Sequence, residues 1–221
     1  MTIKIKALVL DLDDTLYAEI NYLQSAYYFI AAQLSTQPKK LSAKMLAQYH
    51  AGENVFENIS KTYQVDKSNL LDWYRFHKPD IALFQDVAET LNYLAPEYKY
   101  AVITDGRSET QRNKLQALGI IDLLSSIVIS EEIGSEKPST ANYEKVMNDL
   151  QCKQYIYVGD NLKKDFVTAK RLGWTTICLK DQGQNIHQQD FSVAEQYHAD
   201  YCFNSWYEIK NFLALDRKKI Q

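Results

Sequence analysis

Acidic side chains follow several short apolar runs in this chain. Asp11 and Asp13 come directly after the first run, Asp105 follows another, and Asp160 follows a third, with Asp165 one turn further on. Because the carboxyl ends of parallel strands meet at one edge of a sheet, we expect these carboxylates to converge there. Carboxylates held together repel each other unless a cation lies between them. Oxygen ligands without a histidine or cysteine cluster indicate Mg²⁺ rather than Zn²⁺.

Such a site has the groups that phosphoryl chemistry requires. Mg²⁺ keeps several waters and takes phosphate oxygens of a substrate as ligands, so the site also implies a phosphate. The carboxylate of Asp11 is the candidate nucleophile, which would attack phosphorus and form an acyl phosphate that water later hydrolyses. Asp13 is the candidate acid that protonates the leaving oxygen and then, as a base, activates the water.

The phosphoryl oxygens also need hydrogen-bond donors and positive charge. Backbone N–H groups after Asp11 and after the second strand can cradle these oxygens, and the dipole of the following helix favours their charge. Lys137 is the candidate cation, and Pro138 stiffens the start of the next helix. The predicted phosphate-binding residues are Leu12, Asp13, Thr104, Asp105, Gly106 and Lys137.

The elements that would position these residues alternate between strands and helices. Continuous apolar runs, typical of strands buried on both faces of a parallel sheet, occupy residues 3–10, 100–104, 126–129, 155–158 and 175–179. Helices are predicted at residues 108–118, 140–150 and 162–172. This alternation indicates an α/β fold with a doubly wound parallel sheet.

Residues 17–83 break the alternation, because they contain helical periodicity and no buried-strand run. We interpret this stretch as an insert of four or five helices placed directly after the first strand. Its many aromatic side chains are more typical of a helix-packing core than of a surface that stacks on a base or a sugar. Candidate helix stops fall near Pro38, Gly52, Asp66 and Pro79.

The composition is that of an ordinary globular protein, with 46% hydrophobic and 24% charged residues in 221. The formal net charge is -3 and the basic residues are scattered, which predicts neither a nucleic-acid partner nor a membrane partner. No stretch approaches the roughly 20 apolar residues of a membrane-spanning helix. Cys152, Cys178 and Cys202 form no CxxC pair and suit reduced thiols, so we expect a cytoplasmic protein.

In combination, these residues resemble the haloacid dehalogenase superfamily of hydrolases. The resemblance rests on four motifs between residues 11 and 165: Asp11-Leu12-Asp13-Asp14-Thr15 after an apolar strand, a second strand ending in Val102-Ile103-Thr104-Asp105-Gly106, a basic residue in Lys137-Pro138, and a Gly159-Asp160 pair followed by Asp165. Each motif alone is common in loops, and the specificity lies in their order.

The resemblance implies a Rossmann-like core at residues 1–16 and 84–221, with an all-helical cap at residues 17–83. It also implies a Mg²⁺ ion held by the side chains of Asp11 and Asp160 and the carbonyl of Asp13. Asp165 would lie behind these ligands or bind the ion through water. Closure of the cap would exclude water and supply contacts to the leaving group.

The expected activity is that of a magnesium-dependent phosphatase, which hydrolyses a small phosphorylated metabolite through an aspartyl-phosphate intermediate. The similarity favours a sugar phosphate or a nucleotide monophosphate as that substrate. A phosphomutase or phosphotransferase of the same superfamily, and a binding protein without turnover, remain alternatives. The sequence leaves open whether the chain forms a homodimer through its aromatic insert.

Overall fold

The computed structural model describes residues 6–217, in which six strands form one sheet. The strand order is β3-β2-β1-β4-β5-β6, and every neighbouring pair is parallel. The strands are β1 Lys6–Leu10, β2 Tyr98–Thr104, β3 Leu124–Ile129, β4 Gln154–Gly159, β5 Thr175–Leu179 and β6 Tyr201–Phe203. The predicted first strand spans residues 3–10, of which residues 3–5 lie outside the described range.

The strand order places a change of direction next to β1. The chain runs outwards from β1 through β2 to β3, and then crosses back to lay β4 against the other side of β1. Leu10 at the end of β1 is in register with Val102 on β2 and Val158 on β4. A crevice opens at the carboxyl ends of the strands on either side of such a switch point, and ligands bind there in open α/β sheets.

Helices cover both faces of the sheet, which explains the continuous apolar runs. In β1, Leu8 and Leu10 pack in a cluster with residues of α5, α6 and α10, whereas Ala7 and Val9 pack in a second cluster with α8 and α9. The helices are α1 Glu19–Leu34, α2 Pro38–His50, α3 Val55–Tyr63, α4 Lys67–Phe76, α5 Val87–Leu94, α6 Ser108–Ala117, α7 Ser130–Ile133, α8 Thr140–Leu150, α9 Phe166–Arg171 and α10 Trp206–Arg217. Two short 3₁₀ helices, Ile121–Leu123 and Glu195–Tyr197, complete the set within residues 6–217.

Helices α1 to α4 stand between β1 and α5 and have an apolar core of their own. We call residues 19–76 the helical insert. Its core is built from Leu23, Tyr27, Ile30, Ala31, Leu41, Met45, Val55, Ile59 and Leu70. The predicted stop near Pro38 lies between α1, which ends at Leu34, and α2, which begins at Pro38 itself because a proline in the first turn loses no helical hydrogen bond. Residues 77–83, which the sequence places in the insert, lead to α5 without a helix or strand.

Some elements differ from the sequence-based expectation. The helix predicted at residues 162–172 begins at Phe166, because the N–H of Asn161 donates to Asp165 Oδ2 at 2.8 Å and holds the preceding residues in a turn. Strand β6 was not predicted, since its three residues are half-exposed or exposed and form no apolar run. Within residues 6–217, none of the helices is both long and apolar enough to cross a membrane.

Candidate active site

Asp11 is the first residue after β1, and it continues the strand through its N–H, which donates to the carbonyl of Val158 at 2.9 Å. The residue is 6% exposed. Lys137 Nζ lies 2.5 Å from Asp11 Oδ1, and the hydroxyl of Thr15 donates to Oδ2 at 3.3 Å. Burial raises the pKa of Asp11 to about 7 despite the opposing effect of Lys137. The strand end therefore presents a buried carboxylate beside one fixed positive charge.

Lys137 lies between two acidic residues in the floor of the site. Its Nζ is 2.8 Å from Asp165 Oδ1 as well as 2.5 Å from Asp11, and its own N–H donates to Asp105 Oδ1 at 3.0 Å. Burial opposes the charged form of Lys137, but the carboxylates of Asp11 and Asp165 outweigh it and raise the pKa of the lysine. The ammonium group is thus held in place and stays charged.

Asp11, Asp160 and Asp165 form a buried acidic cluster in which one carboxylate oxygen of each residue lies within 4.8 Å of the other two. Burial, followed by the charges of Asp11 and Asp165, raises the pKa of Asp160 well above its ordinary value. Such crowding favours either protons or a cation between the carboxylates. The donors are all hard oxygen atoms, so the residues present fit Mg²⁺.

The three carboxylates are not equivalent as ligands. Asp165 is fully buried. Its Oδ1 accepts a hydrogen bond from Lys137 Nζ, and its Oδ2 accepts one from the N–H of Asn161. A Cβ atom added to Gly159 would lie 2.4 Å from Asp165 Oδ2, so only glycine allows this close approach. Asp160, whose Oδ2 accepts from Asn185 at 2.9 Å, lines the open part of the site together with Asp11. Asp165 therefore orients Lys137 and the turn, whereas Asp11 and Asp160 face the space for an ion.

The side chain of Asp13 is held by three donors. Lys114 Nζ lies 2.7 Å from Oδ1, the hydroxyl of Tyr17 also donates to Oδ1, and Gln111 Nε2 donates to Oδ2 at 3.0 Å. Burial raises the pKa of Asp13, but Lys114, Tyr17 and Gln111 stabilise the ionised form and together lower it. In this arrangement Asp13 is a carboxylate, which is the form required of a base.

Gln111 also orients the hydroxyl group at the end of β2. Its Nε2 donates to Thr104 Oγ1 at 2.6 Å and to the carbonyl of Asp105 at 2.9 Å. Because Thr104 Oγ1 accepts this hydrogen bond, its own proton is available for a phosphate oxygen. The N–H of Gly106, predicted to bind a phosphate oxygen, instead donates to Ser130 Oγ at 2.9 Å in the structure.

These groups surround a cavity of about 380 Å³. The cavity is lined by Asp11, Asp13, Asp14, Glu19, Thr104, Asp105, Lys137, Asp160, Asn161, Lys164 and His187. Of the predicted site residues, Leu12, Gly106 and Asp165 are not part of this lining. The structure thus brings one member or more of each of the four sequence motifs to a single cavity at the switch point.

Comparison with known proteins agrees with this geometry. A sequence model of the haloacid dehalogenase-like hydrolases matches residues 8–179. The chain belongs to this family. Within it, a glyceraldehyde 3-phosphate phosphatase from Methanocaldococcus jannaschii is 26% identical, with 93% of this chain and 95% of that protein covered. A ribulose-1,5-bisphosphate 5-phosphatase from Halopiger xanaduensis is 25% identical over 61% of this chain and 58% of its own length.

A solved family structure supports the fold assignment. The 2-haloacid dehalogenase from Pseudomonas syringae pv. Tomato superposes with a TM-score of 0.67, with 95% of this chain and 98% of that chain covered. Their sequence identity is 19%, so the comparison shows the fold alone. The Rossmann-like α/β fold and the membership of this hydrolase family, both predicted from the motifs, are confirmed.

Sequence reasoning missed several residues that hold the family motifs in place. Lys114 and Gln111 lie three positions apart on the inward face of α6, and nothing local marks them as partners of Asp13. Asn185 and Gln189 lie in the loop after β5, where Gln189 Nε2 donates to the carbonyl of Asp160 at 2.8 Å. The same loop docks on Asp14, whose Oδ2 accepts from the N–H of Ile186 at 3.0 Å.

Proposed function

We propose that the chain is a magnesium-dependent phosphatase that hydrolyses a small phosphomonoester through an aspartyl-phosphate on Asp11. The observation that carries this proposal is the placement of Asp11, a buried carboxylate that faces a cavity with Lys137 2.5 Å away and Asp160 beside it. A carboxylate that attacks a phosphate needs positive charge beside it, because the nucleophile and the phosphate are both negative. Lys137 and the adjacent cation site would supply that charge.

The curated relatives support a phosphatase within the family. The Methanocaldococcus and Halopiger proteins carry the names of phosphatases that act on sugar phosphates, and the first of them aligns along nearly the whole chain. A cavity of about 380 Å³ suits a small substrate. A sugar phosphate or a nucleotide monophosphate is therefore the proposed substrate class.

In the first half of the reaction, a carboxylate oxygen of Asp11 attacks phosphorus and the bond from phosphorus to the leaving oxygen breaks. The ammonium group of Lys137 offsets the charge of the nucleophile and of the phosphoryl oxygens. The hydroxyl of Thr104, oriented by Gln111, donates to one of these oxygens. The product on the protein is an acyl phosphate, and the alcohol departs with a proton.

In the second half, water attacks the phosphorus of the acyl phosphate, and Asp11 is regenerated as inorganic phosphate leaves. Asp13 is the base that takes a proton from this water, and its ionised state beside Lys114 suits the task. Protonation of the leaving alcohol in the first half requires Asp13 to hold a proton, which the contact with Lys114 opposes. The substrate must therefore alter the environment of Asp13 before it can act as an acid.

A Mg²⁺ ion would be held by the side chains of Asp11 and Asp160 and by the carbonyl of Asp13. When bound, the ion supplies positive charge that neutralises the phosphoryl group and the nucleophile. Thr15 and Asn185 orient the two carboxylates by donating to them.

The helical insert is proposed to act as a cap over this cavity. Glu19, the first residue of α1, contributes the insert's part of the cavity lining. The insert also touches the core at α6, where the hydroxyl of Thr110 donates to the carbonyl of Arg75 at 3.2 Å and Lys114 Nζ lies 4.4 Å from the ring centre of Tyr22. These contacts link the insert to the helix that holds Asp13.

Phosphate release tests the proposal directly. Purified protein is assayed against sugar phosphates and nucleotide monophosphates with Mg²⁺ or with EDTA, and Asp11→Asn is compared with wild type. We expect Mg²⁺-dependent release that Asp11→Asn abolishes without a change in fold. The matched control is Asp66→Asn, an exposed carboxylate in the helical insert, which should keep wild-type turnover.

The same assay separates the alternatives. A phosphomutase or phosphotransferase would move the phosphoryl group to a sugar hydroxyl, and product analysis would show a new phosphate ester instead of inorganic phosphate. Retained activity in Asp11→Asn would overturn the assignment of the nucleophile. Absence of both products across the panel would favour a binding protein.

A further inference from the structure

Among residues 6–217, six acidic residues line the cavity, and the carboxylates of five of them accept hydrogen bonds from neighbouring groups. Asp11, Asp13, Asp14 and Asp160 have the partners described above. Asp105 accepts from the N–H of Lys137 and forms an ion pair of 2.9 Å with Lys164. The sixth is Glu19, whose carboxylate receives no hydrogen bond and no ion pair from residues 6–217.

The backbone of Glu19 is fixed even though its carboxylate is unpartnered. Its N–H donates to Asp14 Oδ1 at 2.8 Å, and the other oxygen of Asp14 accepts from Ile186. Glu19 is also the first residue of α1, directly after the loop that carries Asp11 and Asp13. The side chain of Glu19 therefore lines the cavity from a backbone that is hydrogen-bonded to Asp14.

An unpartnered, half-buried carboxylate is costly and calls for an explanation. Burial, followed by the charge of Asp13, raises the pKa of Glu19 to about 8, which reflects that cost. A ligand hydroxyl group would relieve this cost whether Glu19 is ionised or protonated. The hydroxyl donates a hydrogen bond to a carboxylate, and it can both donate to and accept from a carboxylic acid. A second anionic group would add repulsion beside Asp13 and Asp14.

The position of Glu19 relates it to the leaving group of the substrate. The phosphoryl group must lie against Asp11, Lys137 and Thr104, which all belong to the core. The remainder of the substrate extends towards the rest of the lining, where Glu19 is the contribution of the helical insert. An ester whose alcohol carries further hydroxyl groups can bring one of them to this carboxylate.

From these contacts we infer that Glu19 hydrogen-bonds a hydroxyl group of the leaving alcohol and selects phosphomonoesters of polyhydroxylated alcohols. The inference rests on the proposed phosphatase function and names the substrate class of that same cavity. A site built to bind a substrate hydroxyl discriminates against an analogue that lacks it, because its buried polar group is then left unpaired.

Two three-carbon esters test the inference. Glycerol 1-phosphate has two hydroxyl groups on its alcohol and n-propyl phosphate has none, while the phosphoryl chemistry is the same. We expect wild type to prefer glycerol 1-phosphate in kcat/KM by about 10-fold or more. Glu19→Leu should remove this preference by lowering kcat/KM for glycerol 1-phosphate alone. Glu19→Gln should keep part of it, since the amide oxygen still accepts a hydrogen bond.

The control variant is Glu144→Leu, an exposed glutamate on α8 outside the cavity, which should behave as wild type on both esters. An unchanged ratio in Glu19→Leu, or an equal loss on both esters, would overturn the role of Glu19. Hydrolysis of n-propyl phosphate that needs Asp11 and Mg²⁺ would leave the phosphatase proposal standing in that case. Absence of phosphate release from both esters by wild type would count against both proposals.

Discussion

Lys137 illustrates how one residue holds several parts of the site. Its ammonium group contacts Asp11 and Asp165, and its backbone N–H contacts Asp105, so the third motif joins the first, second and fourth. Both carboxylates beside the ammonium group are buried, and neither has another full positive charge among its contacts within residues 6–217. We therefore expect removal of this charge to affect both stability and the proposed turnover.

At this scale we expect Lys137→Met to lower kcat/KM by about 10² to 10³, as the loss of a group that stabilises developing charge does. Stability should fall by about 3–5 kcal/mol, because two buried carboxylates lose their partner. Steady-state kinetics and urea unfolding measure the two effects. Lys145→Met, an exposed lysine on α8 paired with Asp149, is the control and should change little. Turnover of Lys137→Met within a few-fold of wild type would contradict the assigned role.

At the scale of elements, the turn between β4 and α9 determines where the acidic cluster lies. Gly159 ends the strand, Asp160 faces the cavity, and the chain then turns so that Asp165 Oδ2 comes back to the N–H of Asn161. The hydroxyl of Tyr143 on α8 donates to the carbonyl of Asp165 at 3.0 Å and ties the turn to the helix behind it. The carboxylate of Asp165 packs directly against the backbone of Gly159. This turn therefore requires a residue without a side chain at position 159.

Gly159→Ala should therefore displace Asp165 and its contact with Lys137. We expect a loss of about 1–3 kcal/mol in unfolding free energy, as for other overpacked sites, together with lower activity. Gly119→Ala is the comparison, since that glycine has φ +69° but, apart from its chain neighbours, no heavy atom of residues 6–217 lies within 4 Å of an added Cβ. It should cost up to about 1 kcal/mol through backbone strain and leave turnover unchanged. Equal activity in the two variants would argue against a role for the turn.

At the scale of the whole molecule, the cavity concentrates negative charge that folding must accommodate. Burial raises the pKa of Asp11 to about 7 from 3.8 and that of Glu19 to about 8 from 4.5. At these two side chains the folded state therefore binds more protons than the unfolded state between about pH 4 and pH 8. Without a metal ion, the contribution of these groups to stability is present at low pH and is lost as pH rises through that window.

Stabilisation by Mg²⁺ should consequently increase with pH, because protons compete with the ion for the same carboxylates. We expect the rise in Tm on adding Mg²⁺ to be larger at about pH 8 than at about pH 5. Thermal unfolding with Mg²⁺ and with EDTA at the two pH values measures this difference. Asp160→Asn should abolish the rise at both. A rise of equal size at the two pH values would contradict a carboxylate-bound ion.

The sequence by itself determined the α/β fold, the hydrolase family and the strand ends at which Asp11, Thr104 and Asp160 lie. These features are local, since a strand buried on both faces must be a continuous apolar run and the polar residue that ends it lies at the sheet edge. The helices of the insert were likewise visible from their periodicity. Short or half-exposed elements such as β6 were not, because they bury too little apolar surface to produce a pattern.

Only the tertiary structure decided which partners hold the acidic residues. These hydrogen-bonded pairs are far apart in the sequence: Lys114 and Asp13 by 101 residues, Asn185 and Asp160 by 25, and Ile186 and Asp14 by 172. The N–H of Gly106, expected at the phosphate, turns instead to Ser130. Such pairings depend on how α6 and the loop after β5 dock on the sheet edge. That docking is the result of packing over the whole molecule, so no short stretch of sequence contains it.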